Sequence, residues 1–361
     1  MDDGYRSFSD LLARRDAMGK RFLISILTQI CDNQPRKSNA MRRNLPMTKR
    51  SIQLAKIGLA LLLAATIYAA GAQQAPTKAA QPDGISLGRE IAIPPDPASA
   101  NDELRLRAVL DKNPQSSSAL YDLALLLQRE NKPAESLTTY TRAAQIQRPN
   151  AAQLRSVALD YVLLDDYDDA VRWLHTALDM EPNNTDVLYS LGRCFYTKNL
   201  FPDAEKVYLR LLAIDPKNLK AEENLGLTYD AQNDSQKAEA ALNTAAQWAK
   251  ERALQDPWPY LDLGIFLLDQ ARASDAQPYL ERAVELDPKS SWAHEKLGMA
   301  LVANGDSARG VRELQLAVGL APNDPKAHFE LGHAYQSAGQ TEKARAEFDV
   351  TKSLYGEHSQ N

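Results

Sequence analysis

The phrase Leu191-Gly192-Arg193-Cys194-Phe195 returns as Leu225-Gly226-Leu227-Thr228-Tyr229, then as Leu263-Gly264, Leu297-Gly298 and Leu331-Gly332-His333-Ala334-Tyr335. Its glycines lie 34, 38, 34 and 34 residues apart. After most copies comes an alanine-centred segment that closes on a proline: Ala204 to Pro216, Ala276 to Pro288 and, with Gly310 in the alanine's place, Gly310 to Pro322. Self-similarity at a fixed period of this length marks a solenoid, in which each repeat is one supersecondary element whose apolar face is buried only by its neighbours. Such a chain acts by presenting a surface.

Around Gly192 the residues Leu188, Leu191, Gly192 and Phe195 follow the i, i+3, i+4, i+7 spacing of an amphipathic helix, and Ala204, Val207, Tyr208, Leu211 and Leu212 do the same in the following segment. Two helices per repeat follow. The prolines Pro182, Pro216, Pro288 and Pro322 lack a backbone donor and clash with a preceding helical turn, so each separates one repeat from the next.

The spacing and these residues resemble the tetratricopeptide repeat (TPR) family, and the resemblance implies an all-α fold, a right-handed α-solenoid or superhelix of stacked antiparallel helix pairs. Seven full repeats begin at Ser117, Ala151, Thr185, Leu219, Pro257, Ser291 and Pro325. Small residues occupy their eighth position (Ala124, Ala158, Gly192, Gly226, Gly264, Gly298, Gly332), and alanine their twentieth in Ala170, Ala204, Ala238, Ala276 and Ala344. Small side chains there let the paired helices approach closely. The repeat from Leu219 runs to 38 residues, which predicts a second helix lengthened by about one turn. Upstream, Leu106, Val109, Leu110 and Pro114 reproduce half a repeat, read as a capping helix within residues 101–116. The array occupies 117–352 and a polar tail 353–361.

The amino-terminal region has another composition. Residues 1–46 read as a leader, possible true starts being Met41 and Met47. Residues 47–72 combine Lys49, Arg50 and Lys56 with an apolar run from Ile57 to Tyr68 and the small residues Ala70-Gly71-Ala72, the pattern of a secretory signal cleaved after Ala72. The run falls short of the roughly 20 residues of a comfortable span, and retention as a membrane anchor is the alternative. Residues 73–100, rich in Ala, Pro and Gln, read as a linker. The expected location is therefore periplasmic or secreted, as in an exported bacterial TPR protein, or else anchored in the inner membrane with the array outside the cytoplasm; a membrane contact follows only if the apolar segment is uncleaved.

Residues 1–72 hold 12 Lys/Arg and 5 Asp/Glu of the chain's 42 and 47, leaving a formal net charge of −12 on the remainder. An acidic array is unsuited to nucleic acid, whose binding rests on a Lys/Arg footprint. The cysteines are Cys31 and Cys194. Removal of the leader leaves Cys194 with no intramolecular partner, and its place beside the apolar stripe predicts a buried, inert thiol. Catalytic and cofactor signatures are missing: the histidines His175, His294, His328, His333 and His358 form no metal-binding spacing, and no nucleophile elbow, phosphate loop or dinucleotide fingerprint occurs. His294 and His328, at the same fourth position of consecutive repeats, read as packing substitutes for a large residue. No enzyme, cofactor or metal is expected.

The family resemblance implies that the first helices line a concave groove through their second, fifth, ninth, twelfth and thirteenth positions. Carried over, these give a candidate partner-binding strip of Trp258, Trp292, Phe329 and His333 and a second patch of Tyr121, Arg155, Tyr189 and Arg193. Lys and Asn, which chaperone-binding family members place at positions five and nine to grip a terminal carboxylate, are absent there. Aromatics and Arg carry much interface energy, and such a groove suits an extended peptide or an amphipathic helix. The expected function is a noncatalytic protein–protein scaffold or adaptor outside the cytoplasm. The alternatives are a membrane-anchored assembly factor and a targeting subunit related to the TPR arrays of O-linked N-acetylglucosamine transferases.

Overall fold

Position fifteen of all seven repeats takes a left-handed backbone: Asn131, Asp165, Asn199, Asn233, Ala271, Gly305 and Gly339 all have φ between 57° and 88°. In a computed structural model, which describes residues 97–358, this single residue turns each first helix back into its second. The fifteen described helices run α1 (Pro97–Lys112), α2 (Ser117–Arg129), α3 (Pro133–Ile146), α4 (Ala151–Leu163), α5 (Tyr167–Met180), α6 (Thr185–Thr197), α7 (Phe201–Ile214), α8 (Leu219–Ala231), α9 (Ser235–Glu251), α10 (Trp258–Asp269), α11 (Ala273–Leu286), α12 (Ser291–Ala303), α13 (Ser307–Leu320), α14 (Pro325–Ser337) and α15 (Thr341–His358). No strand occurs among the described residues. Helices α2 to α15 form seven pairs, each packed on the next, an all-α solenoid.

Local chemistry sets the helix boundaries. Ser116, Asn150, Asn184, Asn218 and Ser290 each cap the first helix of a repeat by accepting a hydrogen bond from a first-turn backbone N–H, and Asn150 with Gln153 makes the reciprocal capping box. The fifth repeat lacks that device: Pro257 occupies the cap, helix α10 begins at Trp258, and Asp256 Oδ1 accepts from Trp258 N at 3.1 Å. Helix α1 begins at Pro97 rather than at Asn101, because a proline in the first turn gives up a donor that has no intrahelical partner there. Helix α15 likewise continues past Lys352 to His358. Helix α9 has 17 residues against 14 in α3, α5, α7, α11 and α13. It ends where Ala253 turns left-handed at φ 50°.

The paired helices meet where the eighth residue is small. A Cβ on Gly226 would lie 2.7 Å from Leu242 Cγ, one on Gly192 2.7 Å from Tyr208 Cζ, and one on Gly298 2.6 Å from Leu314 Cγ. In each repeat the side chain at position twenty-four fills the gap that the small residue leaves; Tyr208, Leu242 and Leu280 are completely buried. The sixth repeat is the tightest. A Cβ on Gly310 would sit 2.9 Å from the carbonyl oxygen of Gly298, backbone that cannot swing aside.

His294 and His328 pack as expected, and they also tie the stack. His294 joins Glu313 Oε2 (2.8 Å) to the carbonyl of Pro288 (3.1 Å), and His328 joins Glu347 Oε2 (2.7 Å) to that of Pro322 (3.1 Å). Each histidine thus fastens the proline loop that ends one repeat to the second helix of the next.

Two substitutions separate backbone strain from packing. Ala271→Gly relieves a left-handed alanine and is expected to raise unfolding stability by about 1 kcal/mol. Gly310→Ala, which restores the alanine of most other repeats, is expected to lower it by roughly 1–3 kcal/mol through overpacking. Urea unfolding measures both.

Candidate functional site

The wall made by the first helices is cross-linked from repeat to repeat. Arg155, at position five of the second repeat, donates from Nε to Ser190 Oγ (2.8 Å) and to the carbonyl of Asp186 (3.2 Å) in the third. Tyr189 at the same position accepts at its hydroxyl from Asn224 Nδ2 (3.4 Å). Glu223 is paired with Asp262 in the fifth repeat, and the charge of Glu295 is felt at Glu330 in the seventh. Position five therefore hydrogen-bonds position six of the next repeat at Arg155 and Tyr189, and lies within electrostatic reach of a carboxylate there at Glu223 and Glu295. Sequence reading found position five and missed position six of the next repeat, Ser190, Asn224, Asp262 and Glu330; the signal was their separation, one repeat plus one residue.

These contacts sort the candidate residues. Tyr121 is buried and donates its hydroxyl proton to the carbonyl of Gln147 at 2.6 Å. Arg193 is also buried, its guanidinium 5.7 Å from the Tyr189 ring centroid, and Lys220 covers that ring at 5.6 Å. Trp258 and Trp292, in neighbouring repeats, bring their ring centroids to 5.7 Å at 48° and remain half-buried against the core. Phe329 and His333 are exposed and form a separate aromatic group with Phe348, at 4.5 Å from each other and 5.8 and 5.3 Å from it. The structure thus joins the two tryptophans, joins Tyr189 to Arg193 with Arg155 bonded to the adjacent Ser190, and sets Phe329 with His333 at the end of the array.

Burial reshapes the carboxylates of this wall. Glu223 has its pKa driven well above the usual range, first by burial and then by the charge of Asp262. Asp230 and Asp269 are raised, chiefly by burial. Asp160 lies inside the stack with its carboxyl pushed up to about 7 by burial. Ser136 Oγ is 2.8 Å from the Ala124 carbonyl and 2.6 Å from Asp160 Oδ2, and its one proton satisfies one of them; a protonated Asp160 supplies the other. Cys194 is fully buried, which pushes its thiol up to about 12 and makes it unreactive. Among the described residues no cluster of His, Cys, Asp and Glu forms a metal site, and no described helix is long and apolar enough to cross a membrane.

Stacked helix hairpins whose first helices share one aromatic and ionic wall define a repeat scaffold. Family models described as tetratricopeptide repeat match residues 103–152, 162–221, 223–252, 261–325 and 295–355, well over half of the sequence. The chain belongs to the tetratricopeptide-repeat proteins, a class of protein-interaction scaffolds. No curated protein matches it significantly. Among solved structures it is similar to the APC/C hetero-tetramer Cut9–Hcn1 (15% identity, TM-score 0.56, 65% of this chain and 46% of that one), to yeast Tom70 (17%, 0.54, 71% and 55%) and to a tetratricopeptide repeat protein from Parabacteroides merdae (18%, 0.53, 70% and 92%). The chain spans about half the length of the first two. These likenesses concern the fold.

Asp160 makes stability pH-dependent. Between the ordinary aspartate range and about pH 7 the folded protein holds a proton that the unfolded chain has released, so this group's contribution falls as pH rises through that window and is constant above it. Asp160→Asn is expected to flatten the decline by up to about 1.4 kcal/mol per pH unit, read from urea unfolding between pH 4.5 and 7.5. An unchanged slope would mean that Asp160 titrates normally.

Proposed function

We propose that this protein is a noncatalytic adaptor that holds a peptide or helix of a partner protein along the wall of its first helices, outside the cytoplasm. The observation carrying this reading is the Trp258–Trp292 pair, two large aromatics at the second position of adjacent repeats, in contact with each other yet only half-buried. Aromatic shelves of this kind supply contact area at low entropic cost and dominate binding energy in interfaces. The Arg155–Tyr189–Arg193 patch contributes differently. Arg155 and Tyr189 are engaged between repeats and Arg193 lies over Tyr189, so the patch holds the wall in register beside the guest.

Export rests on the sequence of residues 47–72, which lies outside the described residues: cations, an apolar run and the small residues Ala70-Gly71-Ala72. On this reading the mature chain begins at Gln73 and works in the periplasm or beyond the cell; a retained apolar segment would instead tether the array to the inner membrane. Fractionation with amino-terminal sequencing separates the two, with release beginning at Gln73 expected.

Replacing Trp258 and Trp292 together by alanine tests the groove. Crosslinked partner capture from the native envelope is expected to drop at least tenfold, a loss of about 1.4 kcal/mol or more, beyond what any loss of fold explains. Lower melting temperature with capture intact would assign the tryptophans to packing alone.

A further inference from the structure

The array opens on half a repeat. Leu106 and Val109 of α1 stand 34 residues before Tyr140 and Ala143, which are buried against the first helix of their own repeat, where Tyr140 meets the Tyr121 ring at 5.9 Å. Among the described residues no first helix covers α1 on that side, and Val109 is 46% exposed. A cleft of about 340 Å³ is left between α1 and α2, with Leu106 and Val109 on one wall, Leu125 and Leu126 on the other and Asp122 at one end. Asp102, Arg105 and Arg129 line it toward the other end, where Asp102 and Arg105 pair at 3.0 Å. Asp122 occupies position six of its repeat. At that position Ser190 and Asn224 are hydrogen-bonded by position five of the repeat before, whereas the Asp122 carboxylate has no hydrogen bond or ion pair among the described residues.

We propose that residues 85–93, which lie outside the described residues, run extended along this cleft as a strap, setting Ile91 against Leu106 and Leu126 and Arg89 against Asp122. The sequence Ile85-Ser86-Leu87-Gly88-Arg89-Glu90-Ile91-Ala92-Ile93 alternates, its odd positions apolar except for Arg89 and its even positions small or polar. A period of two gives an extended chain one apolar face, here with a single cation in it. The cleft supplies the complement, facing leucines and a carboxylate without a partner. Arg89 would then serve Asp122 as Arg155 serves Ser190.

The connection to α1 sets the register. Only residues 94–96 separate Ile93 from Pro97, where α1 begins, so a strap in the cleft starts level with the head of that helix and runs back along it. Pro94 holds Ile93 out of the helical region, and Pro94 and Pro95 fix the backbone at the reversal. From Ile93 to Arg89 an extended chain covers about 13 Å, the rise of about nine helical residues. Arg89 therefore comes level with the last turns of α1, where Val109 faces Asp122, and Ile91 with the middle of the helix near Leu106. So short a tether gives the segment an effective concentration on the order of millimolar, and modest contacts hold it. The strap covers the unpartnered side of α1 and closes the open end of the stack, as terminal units of repeat arrays must. It stands whether or not a guest binds at Trp258 and Trp292.

Limited trypsin digestion of the full chain reads the strap, because Arg89 is a cleavage site within it and Lys78 one upstream of it. Asp122→Asn/Val109→Ser, two exposed substitutions that remove the carboxylate and part of the apolar wall, is expected to speed cleavage after Arg89 about tenfold and leave cleavage after Lys78 unchanged. A second variant reads the contact itself. With Cys31→Ser, and with Cys194 buried, Arg89→Cys/Asp122→Cys is expected to close a disulfide within one chain under mild oxidation. Cleavage after Arg89 that ignores the first variant, with no disulfide in the second, would overturn the strap and leave the cleft to a partner. A disulfide between two chains would overturn it in favour of a second copy's segment in the cleft.

Discussion

Everything in this molecule depends on how closely the two helices of each pair approach. At Gly192, Gly226, Gly264, Gly298 and Gly332 there is no room for a Cβ, because Tyr208, Leu242, Leu280, Leu314 and Phe348 occupy that space. In these five repeats the missing methyl makes room for a large side chain at position twenty-four, and in the first two, with Ala124 and Ala158, a single methyl suffices beside Tyr140 and Leu174. Interiors packed at this density tolerate neither voids nor added atoms. The hairpin cannot stand alone, since its outer faces are covered only by adjacent pairs; the core accordingly runs unbroken from Leu110 in α1 to Leu301 in α12.

A stack held this way leaves the first helices to form a wall, and the wall has two occupations. Its fifth and sixth positions bind neighbouring repeats, through Arg155 to Ser190, Tyr189 to Asn224 and Glu223 to Asp262. Its second position, at Trp258 and Trp292, also joins neighbouring repeats, and there it presents half-buried aromatic surface. One helical face thus both ties the repeats together and presents aromatic surface. The cost is buried charge. Glu223, Asp230, Asp269 and Glu330 are all raised by desolvation, which keeps part of the array's stability hostage to pH.

The pairing of helices was legible in the sequence because it is written in residues that punctuate: glycine at position eight and proline between repeats. Less legible was position fifteen, where Asn, Asp, Ala and Gly share one backbone geometry with no common side chain. Asn and Asp tolerate the left-handed region and Gly requires nothing of it, so the alternation hides a single requirement. The candidate residues were found one at a time from the family's inner positions, and burial then divided them. Tyr121 and Arg193 look on paper like Trp258, yet the Tyr121 hydroxyl is bonded to a carbonyl and Arg193 is buried inside the wall, which no one-dimensional pattern reveals. His294 and His328 were read as fillers; their second role depends on a carbonyl six residues back and a carboxylate nineteen ahead, a pairing visible only once the helices are folded together.

If each pair is sealed by its own close approach and stabilised only by its neighbours, damage at one seal must remain local. Amide hydrogen exchange on Gly264→Val measures this directly. Protection is expected to collapse in α10 and α11, to weaken in α9 and α12, and to persist in α2 to α5. Uniform loss along the whole array, or full protection at α10 and α11 despite the added side chain, would contradict the account.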